Sequence, residues 1–142
     1  MTVPVVSEAR AQLPWRRRAG AIVAAGTARW LVLLPPRRLR QILRLASVGA
    51  RPATEQQAAQ ARTAVVTVSV RCAGQGCLQR SVATVLLCRL SGRWPDWCTG
   101  IRTQPFSGHA WVEVAGRPIG EPPGLSEFAT VVAVRCPAGS RS

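Results

Sequence analysis

Cys77 is the residue of this sequence best placed for nucleophilic chemistry. It follows Gly74-Gln75-Gly76 and opens the run CLQRSVATVLLCRL, whose apolar residues recur at helical spacing. The pattern predicts a helix over residues 77–90 with Cys77 in its first turn. The helix dipole and the unsatisfied N–H groups of such a turn favour the thiolate, which is the nucleophilic form of cysteine. A small buried cysteine at the start of a helix would give the same pattern, so both interpretations stay open from the residues alone.

His109 is the single histidine of the sequence, and the residues around it alternate as a β-strand does. Over residues 107–114 the odd-numbered side chains, which include His109, Trp111 and Glu113, are predicted to share one face. The even-numbered side chains are apolar and face the other way. A lone histidine on a strand is usually structural, so a catalytic interpretation needs a partner on a neighbouring element.

Glu121 is the predicted partner of His109. The run VAG at 114–116 suits a three-residue hairpin loop with glycine at the left-handed position. A ladder centred on residue 115 then pairs His109 with Glu121, with Cβ atoms about 4.5–5.5 Å apart. A carboxylate beside an imidazole fixes its tautomer and stabilises its protonated form. Pro118 cannot donate to a ladder, so the second strand is expected to be an edge or irregular.

The other candidate groups carry weaker signals. Arg80, one turn after Cys77, either raises the local positive potential or is a solvated helix charge. Cys88 lies three turns along the same helix, where core packing is the expected role. The remaining cysteines have no adjacent base that the sequence reveals: Cys72, Cys98 and Cys136. With no close C-x-x-C pair and no clear secretory signal, five cysteines favour a reducing cytoplasm over a zinc site or a disulfide framework.

Helices followed by short strands are predicted to position these groups. The limits of the helices are predicted from the positions of prolines and glycines. Thr54 is also predicted to be an N-cap, with Gln57 at the capping-box position. Trp94 and Trp97 are expected to cover the edge of the core. The helices are expected over about 17–33, 37–47, 55–70 and 77–90. The β-like runs are 99–103, 108–114, 117–121 and 129–135.

Charge is distributed unevenly along the 142 residues. The formal net charge is +13, and all 19 cations are arginines. Residues 1–53 contain ten arginines and one acid, whereas residues 54–142 contain nine arginines and five acids. Hydrophobic residues at 47% exclude wholesale disorder, and the length allows one domain. We expect one α+β unit, with a basic helical arm over 1–53 and a core over 54–142.

A membrane span is not expected in the apolar stretch 15–34. A spanning helix needs about 20 predominantly apolar residues. Arg29 interrupts this stretch near its middle, and its most apolar part ends at Pro35-Pro36. An amphipathic or core-facing helix is the expected structure, with peripheral membrane contact as an open alternative.

The order of a helix-terminal cysteine, a strand histidine and an acid on the next strand resembles the transglutaminase-like cysteine peptidase fold. More narrowly, CLQR at 77–80, PFSGHAWVE at 105–113 and the Gly116 turn resemble the leader peptidases of lasso-peptide biosynthesis. The resemblance implies an α+β, papain-like core in which an antiparallel sheet packs on the nucleophile helix. The N-terminal helical arm precedes that core.

The same resemblance implies roles for the candidate residues. Cys77 would be the nucleophile, His109 the base and acid, and Glu121 the orienting carboxylate. Glu113 is the second choice for the third member, because it lies close to His109 in sequence. Arg80 and Trp111 are possible supporting residues.

The resemblance further implies a stand-alone peptidase half that removes the leader from a lasso-peptide precursor. Its partners would be the precursor peptide, a separate leader-recognition protein and an asparagine-synthetase-like cyclase. No metal, organic cofactor or nucleic acid is expected, and the expected location is the cytoplasm. Two alternatives stay open: acyl transfer to an amine by the same triad, and a non-enzymatic basic protein that binds nucleic acid or a membrane surface.

Overall fold

The structure is a computed structural model that describes residues 14–69, 76–103, 106–121 and 125–136. Cys72, Gln75 and Pro105 lie outside these residues. In the described part, four α-helices come before most of the strands. They are α1 (Trp15–Leu31), α2 (Pro36–Ser47), α3 (Glu55–Val68) and α4 (Cys77–Leu90).

The strands form one antiparallel sheet and one short parallel pair. β1 (Arg51–Pro52) pairs with β2 (Arg93–Trp94) in parallel. The main sheet has the order β5-β4-β3-β6. Its strands are β3 (Asp96–Thr103), β4 (Phe106–Val114), β5 (Arg117–Pro118) and β6 (Ala129–Val134), with a 3₁₀ turn at Leu125–Glu127 before β6. The predicted α+β class, with an antiparallel sheet packed on the helix of Cys77, is confirmed.

The helices pack through small residues. α1 buries Ala21, Ala24, Ala25 and Ala28, which recur at the spacing of one helix face. Because alanine is short, α1 lies close to α3 and α4, and its alanines join the same hydrophobic core as Val82 of α4. The core-facing interpretation of this helix is confirmed. The boundary between an arm and a core at residue 53 stays a prediction.

The helix ends differ in how their first N–H groups are satisfied. At α3 the Thr54 hydroxyl accepts from the Gln57 N–H at 3.1 Å, while the Gln57 side chain accepts from the Thr54 N–H at 3.0 Å. This is the predicted capping box. α4 instead starts after Gly76, which has no side chain to cap it. The first N–H groups of α4 therefore have no such side-chain acceptor at the N-cap.

The hairpin after β4 is tighter than predicted. Glu113 pairs with Pro118 and Val114 with Arg117, so the ladder is centred between residues 115 and 116. The loop has two residues, Ala115 and Gly116, and both have positive φ values, 52° and 79°. That geometry matches the right-handed twist of the strands. The predicted three-residue loop is wrong, and so is the predicted ladder pairing of His109 with Glu121.

Two other expectations need correction. Trp94 and Trp97 are 1% and 3% exposed and belong to the core itself rather than to its edge. Their indole N–H groups are satisfied there: Trp94 donates to the Val134 carbonyl at 3.1 Å and Trp97 to the Ser81 hydroxyl at 3.0 Å. The run predicted over 117–121 forms a strand only at Arg117–Pro118.

None of the helices in the described part of the chain combines the length and the apolarity needed to cross a bilayer.

Candidate active site

Cys77 is the first residue of α4 and is half-buried. The pKa of its thiol is lowered from the usual value, first because His109 hydrogen-bonds to it. Burial acts in the opposite direction, whereas the Ala110 N–H and the positive charges of His109 and Arg80 lower the pKa further. The predicted position in the first helical turn is confirmed, and the environment favours the thiolate.

His109 lies on β4 between the thiol and a carboxylate. Its Nε2 is 2.8 Å from Oε2 of Glu121, which leaves Nδ1 as the ring nitrogen for Cys77. The hydrogen bonds to Cys77 and then Glu121 raise the pKa of His109 to about 9, against the effect of burial. Because the thiol pKa is lowered and the imidazole pKa raised, the site favours a thiolate–imidazolium pair.

Glu121 reaches His109 by a route that the ladder does not provide. Beyond β5, Ile119 is buried and its N–H donates to the Val112 carbonyl at 2.9 Å. Gly120 then adopts φ +68°, a conformation that favours glycine, and its Cα faces the Arg62 side chain so closely that a Cβ would lie 2.7 Å from it. This turn directs Glu121 back to His109, where its side chain is only 4% exposed.

The family comparison spans these three residues. Residues 21–133, from α1 into β6, match the transglutaminase-like superfamily. The chain belongs to this superfamily. No curated protein and no solved structure matches this chain. Membership places Cys77, His109 and Glu121 in a fold that is typically associated with cysteine-based catalysis, while their individual roles stay predictions.

Trp111 and Glu113 of this transglutaminase-like chain lie beside the series of contacts that joins Cys77, His109 and Glu121, and are not members of it. The Trp111 ring stacks on His109, with centroids 6.0 Å apart and planes at 14°. Its Nε1 donates to Oε2 of Glu113 at 2.7 Å, and the other Glu113 oxygen is 3.9 Å from Nη1 of Arg135. Glu121 is the residue whose carboxylate contacts His109. Glu113 instead bonds to Trp111, and it is the Trp111 ring that stacks on His109.

Phe128 and Gly100 are residues of the site that the sequence did not reveal. Phe128 lies on His109 with centroids 5.7 Å apart and planes at 47°, and Arg102 lies over its ring at 5.2 Å. Gly100 is the ladder partner of His109. A Cβ at Gly100 would lie 2.8 Å from the Trp111 ring and 2.6 Å from the Ala129 carbonyl oxygen. Only the strand register exposes these relations, so no sequence signal pointed to them.

Two other cysteines have the opposite character. Cys88 is buried in α4, and desolvation raises its pKa to about 12. Cys98 on β3 is also buried, and its pKa is raised to about 12, first by desolvation and then by Glu113. The expectation that Cys88 packs in the core is confirmed. Within the residues that the structure describes, no three His, Cys, Asp or Glu side chains are grouped as a metal site would require.

Proposed function

We propose that this transglutaminase-like protein is a cysteine peptidase that removes the leader peptide from a lasso-peptide precursor. The observation that carries a catalytic role is the contact series from the Cys77 thiol through His109 to Glu121. The narrower assignment is supported by the resemblance of CLQR at 77–80 and HAWVE at 109–113 to the leader peptidases. The expected substrate is therefore an extended peptide rather than a small molecule.

The first step is attack by Sγ of Cys77 on the carbonyl carbon at the leader–core junction. The lowered pKa of Cys77 and the raised pKa of His109 favour transfer of the thiol proton to His109 before the substrate binds, which makes the thiolate available for attack. As the C–S bond forms, the carbonyl oxygen becomes an oxyanion. N–H groups at the start of α4 are suitable donors to it, because Gly76 supplies no capping side chain.

The second step breaks the peptide bond. The intermediate collapses when His109 gives its proton to the nitrogen of the core peptide, which leaves as a free amine. The leader stays attached to Cys77 as a thioester. Glu121 holds the imidazole orientation through the 2.8 Å contact at Nε2.

The third step releases the leader. Neutral His109 takes a proton from water as the water oxygen attacks the thioester carbon. The C–S bond then breaks, the leader leaves with a new carboxylate, and the thiolate–imidazolium pair is restored. This sequence consumes one water and uses no metal or organic cofactor.

The proposed partners follow from the same assignment. A separate leader-recognition protein would present the precursor to Cys77. An asparagine-synthetase-like cyclase would then use the core amine that cleavage releases, closing it into a macrolactam.

The proposal is tested by incubating the protein with precursor and its leader-binding protein and measuring product masses. The expected products are free leader and free core, whose summed mass exceeds that of the precursor by one water. In H₂¹⁸O, the label should enter the leader carboxylate. The Cys77→Ala protein should give neither product.

Acyl transfer is the contrasting outcome. A leader whose mass has increased by an added amine, with no ¹⁸O incorporation, would contradict hydrolysis and assign a transferase. Cleavage that persists at the wild-type rate in Cys77→Ala would contradict the cysteine mechanism itself.

A further inference from the structure

Helix α1 has two apolar faces, and only one of them packs against the protein. The alanines described above cover the inner face. The outer face carries a stripe of apolar residues. Each of them lies three or four positions from another member of the stripe, so they share one side of the helix. They are Trp15, Ala19, Ile22, Val23, Gly26 and Trp30, all exposed in the described part of the chain. We call this set the α1 stripe.

The α1 stripe is long and includes large side chains. Trp15 and Trp30 are 75% and 74% exposed, and they are about 22 Å apart along the helix axis. Ile22 and Val23 between them are 54% and 61% exposed. A contiguous apolar surface of this kind marks an interaction site more often than isolated exposed residues do.

Arginines border the α1 stripe on both sides. On a helical projection Arg16 follows Val23 on one side, while Arg18 and Arg29 flank Ile22 on the other, and all three are exposed. Residues 14–53 contain nine arginines and no aspartate or glutamate. This segment, which includes α1 and α2, is therefore cationic and carries no side-chain carboxylate of its own to neutralise its arginines.

We propose that the α1 stripe docks this protein on an anionic lipid bilayer. Indole side chains are favoured at the headgroup level, and aliphatic side chains gain by entering the boundary of the acyl region. The flanking arginines would meet lipid phosphates. This property goes beyond the proposed peptidase activity and does not depend on it.

The mixed composition of the stripe favours a bilayer over nucleic acid. A single-strand binder uses aromatic side chains as stacking platforms for bases, with cations along the backbone. Ile22 and Val23 offer no stacking surface, yet they occupy the middle of the stripe. Acyl chains would bury these two side chains, whereas they would remain exposed to solvent in a complex with nucleic acid.

Docking through α1 would hold the candidate active site near the bilayer. Gln79, two residues after Cys77, donates from Nε2 to the Ala25 carbonyl on the inner side of α1 at 3.0 Å. The nucleophile helix thus packs directly behind the docking helix. One helix diameter, about 10 Å, would separate the start of α4 from the lipid surface.

The test is co-sedimentation of the full chain with large unilamellar vesicles. One set contains equal parts phosphatidylglycerol and phosphatidylcholine, and the other contains phosphatidylcholine alone. We expect binding to the anionic set, at least about tenfold weaker binding to the neutral set, and a further loss when salt is raised from about 0.1 to 0.5 M. The paired variant Trp15→Ala/Trp30→Ala should lower affinity for anionic vesicles roughly tenfold or more.

Phe106→Ala is the matched control, because Phe106 is also 75% exposed but lies on β4. It should bind vesicles as the wild type does. All variants should keep the same far-UV circular dichroism, since every substituted side chain is exposed. Precursor cleavage in lipid-free solution should be unchanged in Trp15→Ala/Trp30→Ala, which separates this proposal from the proposed function.

Several results would overturn the proposal. Equal binding to neutral and anionic vesicles, or an undiminished affinity in the tryptophan pair, would contradict docking through the stripe. So would a loss in Phe106→Ala as large as in that pair. Binding to single-stranded RNA or to a soluble acidic polypeptide without binding to vesicles would assign the surface to those partners instead.

Discussion

The two ends of α4 carry cysteines of opposite character. At the N-terminal end, a hydrogen bond from His109 lowers the pKa of Cys77. Three turns later, burial raises the pKa of Cys88 to about 12. The residue type and the helix are the same. The difference shows that the position on the helix, and what the sheet brings to that position, set the reactivity of the thiol.

The contrast has a clear physical origin. The N-terminal end of α4 meets β4, which brings an imidazole and the Ala110 N–H to the sulfur. Cys88 is buried farther along α4, and desolvation raises the pKa of its thiol. A thiolate is stabilised in the first environment and desolvated in the second.

Removing each thiol in turn should give the largest contrast. Cys77→Ala should lower kcat/KM for precursor cleavage by roughly 10³-fold or more, because the nucleophile is lost. Cys88→Ala should keep activity within about threefold, since it removes a packing group and no reacting atom. Product formation measured by mass spectrometry tests both.

The difference in reactivity between Cys77 and Cys88 can also be measured without substrate, by alkylating the thiols. Brief treatment of the wild type with iodoacetamide at pH 7 should alkylate Cys77 and leave Cys88 and Cys98 unmodified, as measured by peptide mapping. Equal labelling of Cys77 and Cys88, or comparable activity losses in the two variants, would contradict the assigned difference.

Removing the carboxylate behind His109 should reduce the contrast between the two ends of α4. The reactive pair needs Cys77 deprotonated and His109 protonated. Activity should therefore rise with pH through the lowered pKa of Cys77 and fall through the pKa of His109 near 9. Glu121→Gln removes a cause that raises the pKa of His109, so the alkaline limb should move to lower pH and kcat/KM should fall roughly ten- to hundredfold.

Glu113→Gln is the matched variant for that experiment. Glu113 contacts Trp111 and Arg135, so its substitution should leave the alkaline limb near pH 9 and change kcat/KM by less than about threefold. A pH–rate profile for each protein decides between the two carboxylates. An alkaline limb that moves in Glu113→Gln but not in Glu121→Gln would reverse the assignment.

Of the three changes predicted to lower activity, Gly100→Ala should lower it least, because it acts on the His109 imidazole only through Trp111. The new methyl group would lie 2.6 Å from the Ala129 carbonyl oxygen and 2.8 Å from Trp111, which stacks on His109. We expect a loss of about 1–3 kcal/mol in the free energy of unfolding, because the backbone must shift, together with a several-fold lower kcat/KM.

Gly108→Ala provides the control on the neighbouring strand. Apart from its two chain neighbours, the nearest atom that its added Cβ would meet in the described part of the chain is the Gly100 carbonyl oxygen at 4.0 Å. Urea denaturation should show a change of less than about 0.5 kcal/mol for this variant. Equal stability losses in the two glycine variants would indicate a general strand effect and not a clash with Trp111.

Local patterns in the sequence were sufficient for the helices and for the start of α4. The capping box at Thr54 and the apolar spacing after Cys77 are properties of adjacent residues, and both were predicted correctly. The contact between His109 and Glu121 was also predicted, but for a reason that the structure contradicts. It arises from the turn at Gly120 and not from a ladder pairing.

The remaining features depend on residues far apart in the chain. A one-residue change in loop length shifts a whole strand register, and sequence did not distinguish a two-residue loop containing Ala115 at positive φ from a three-residue loop. The approach of Phe128 to His109 and the need for glycine at position 100 depend on pairing across three strands. Such contacts are fixed by tertiary packing, which a single sequence does not specify directly.

The bare start of α4 has a consequence for evolution and engineering. Replacing an N-cap glycine by serine or aspartate commonly stabilises a helix by a few tenths of a kcal/mol, and Gly76 is an obvious position for such a change. At Gly76 the new oxygen would compete for the N–H groups that a substrate oxyanion would use. Selection for thermal stability and selection for turnover would thus favour different residues at position 76, a conflict that α3 with its Thr54 cap does not face.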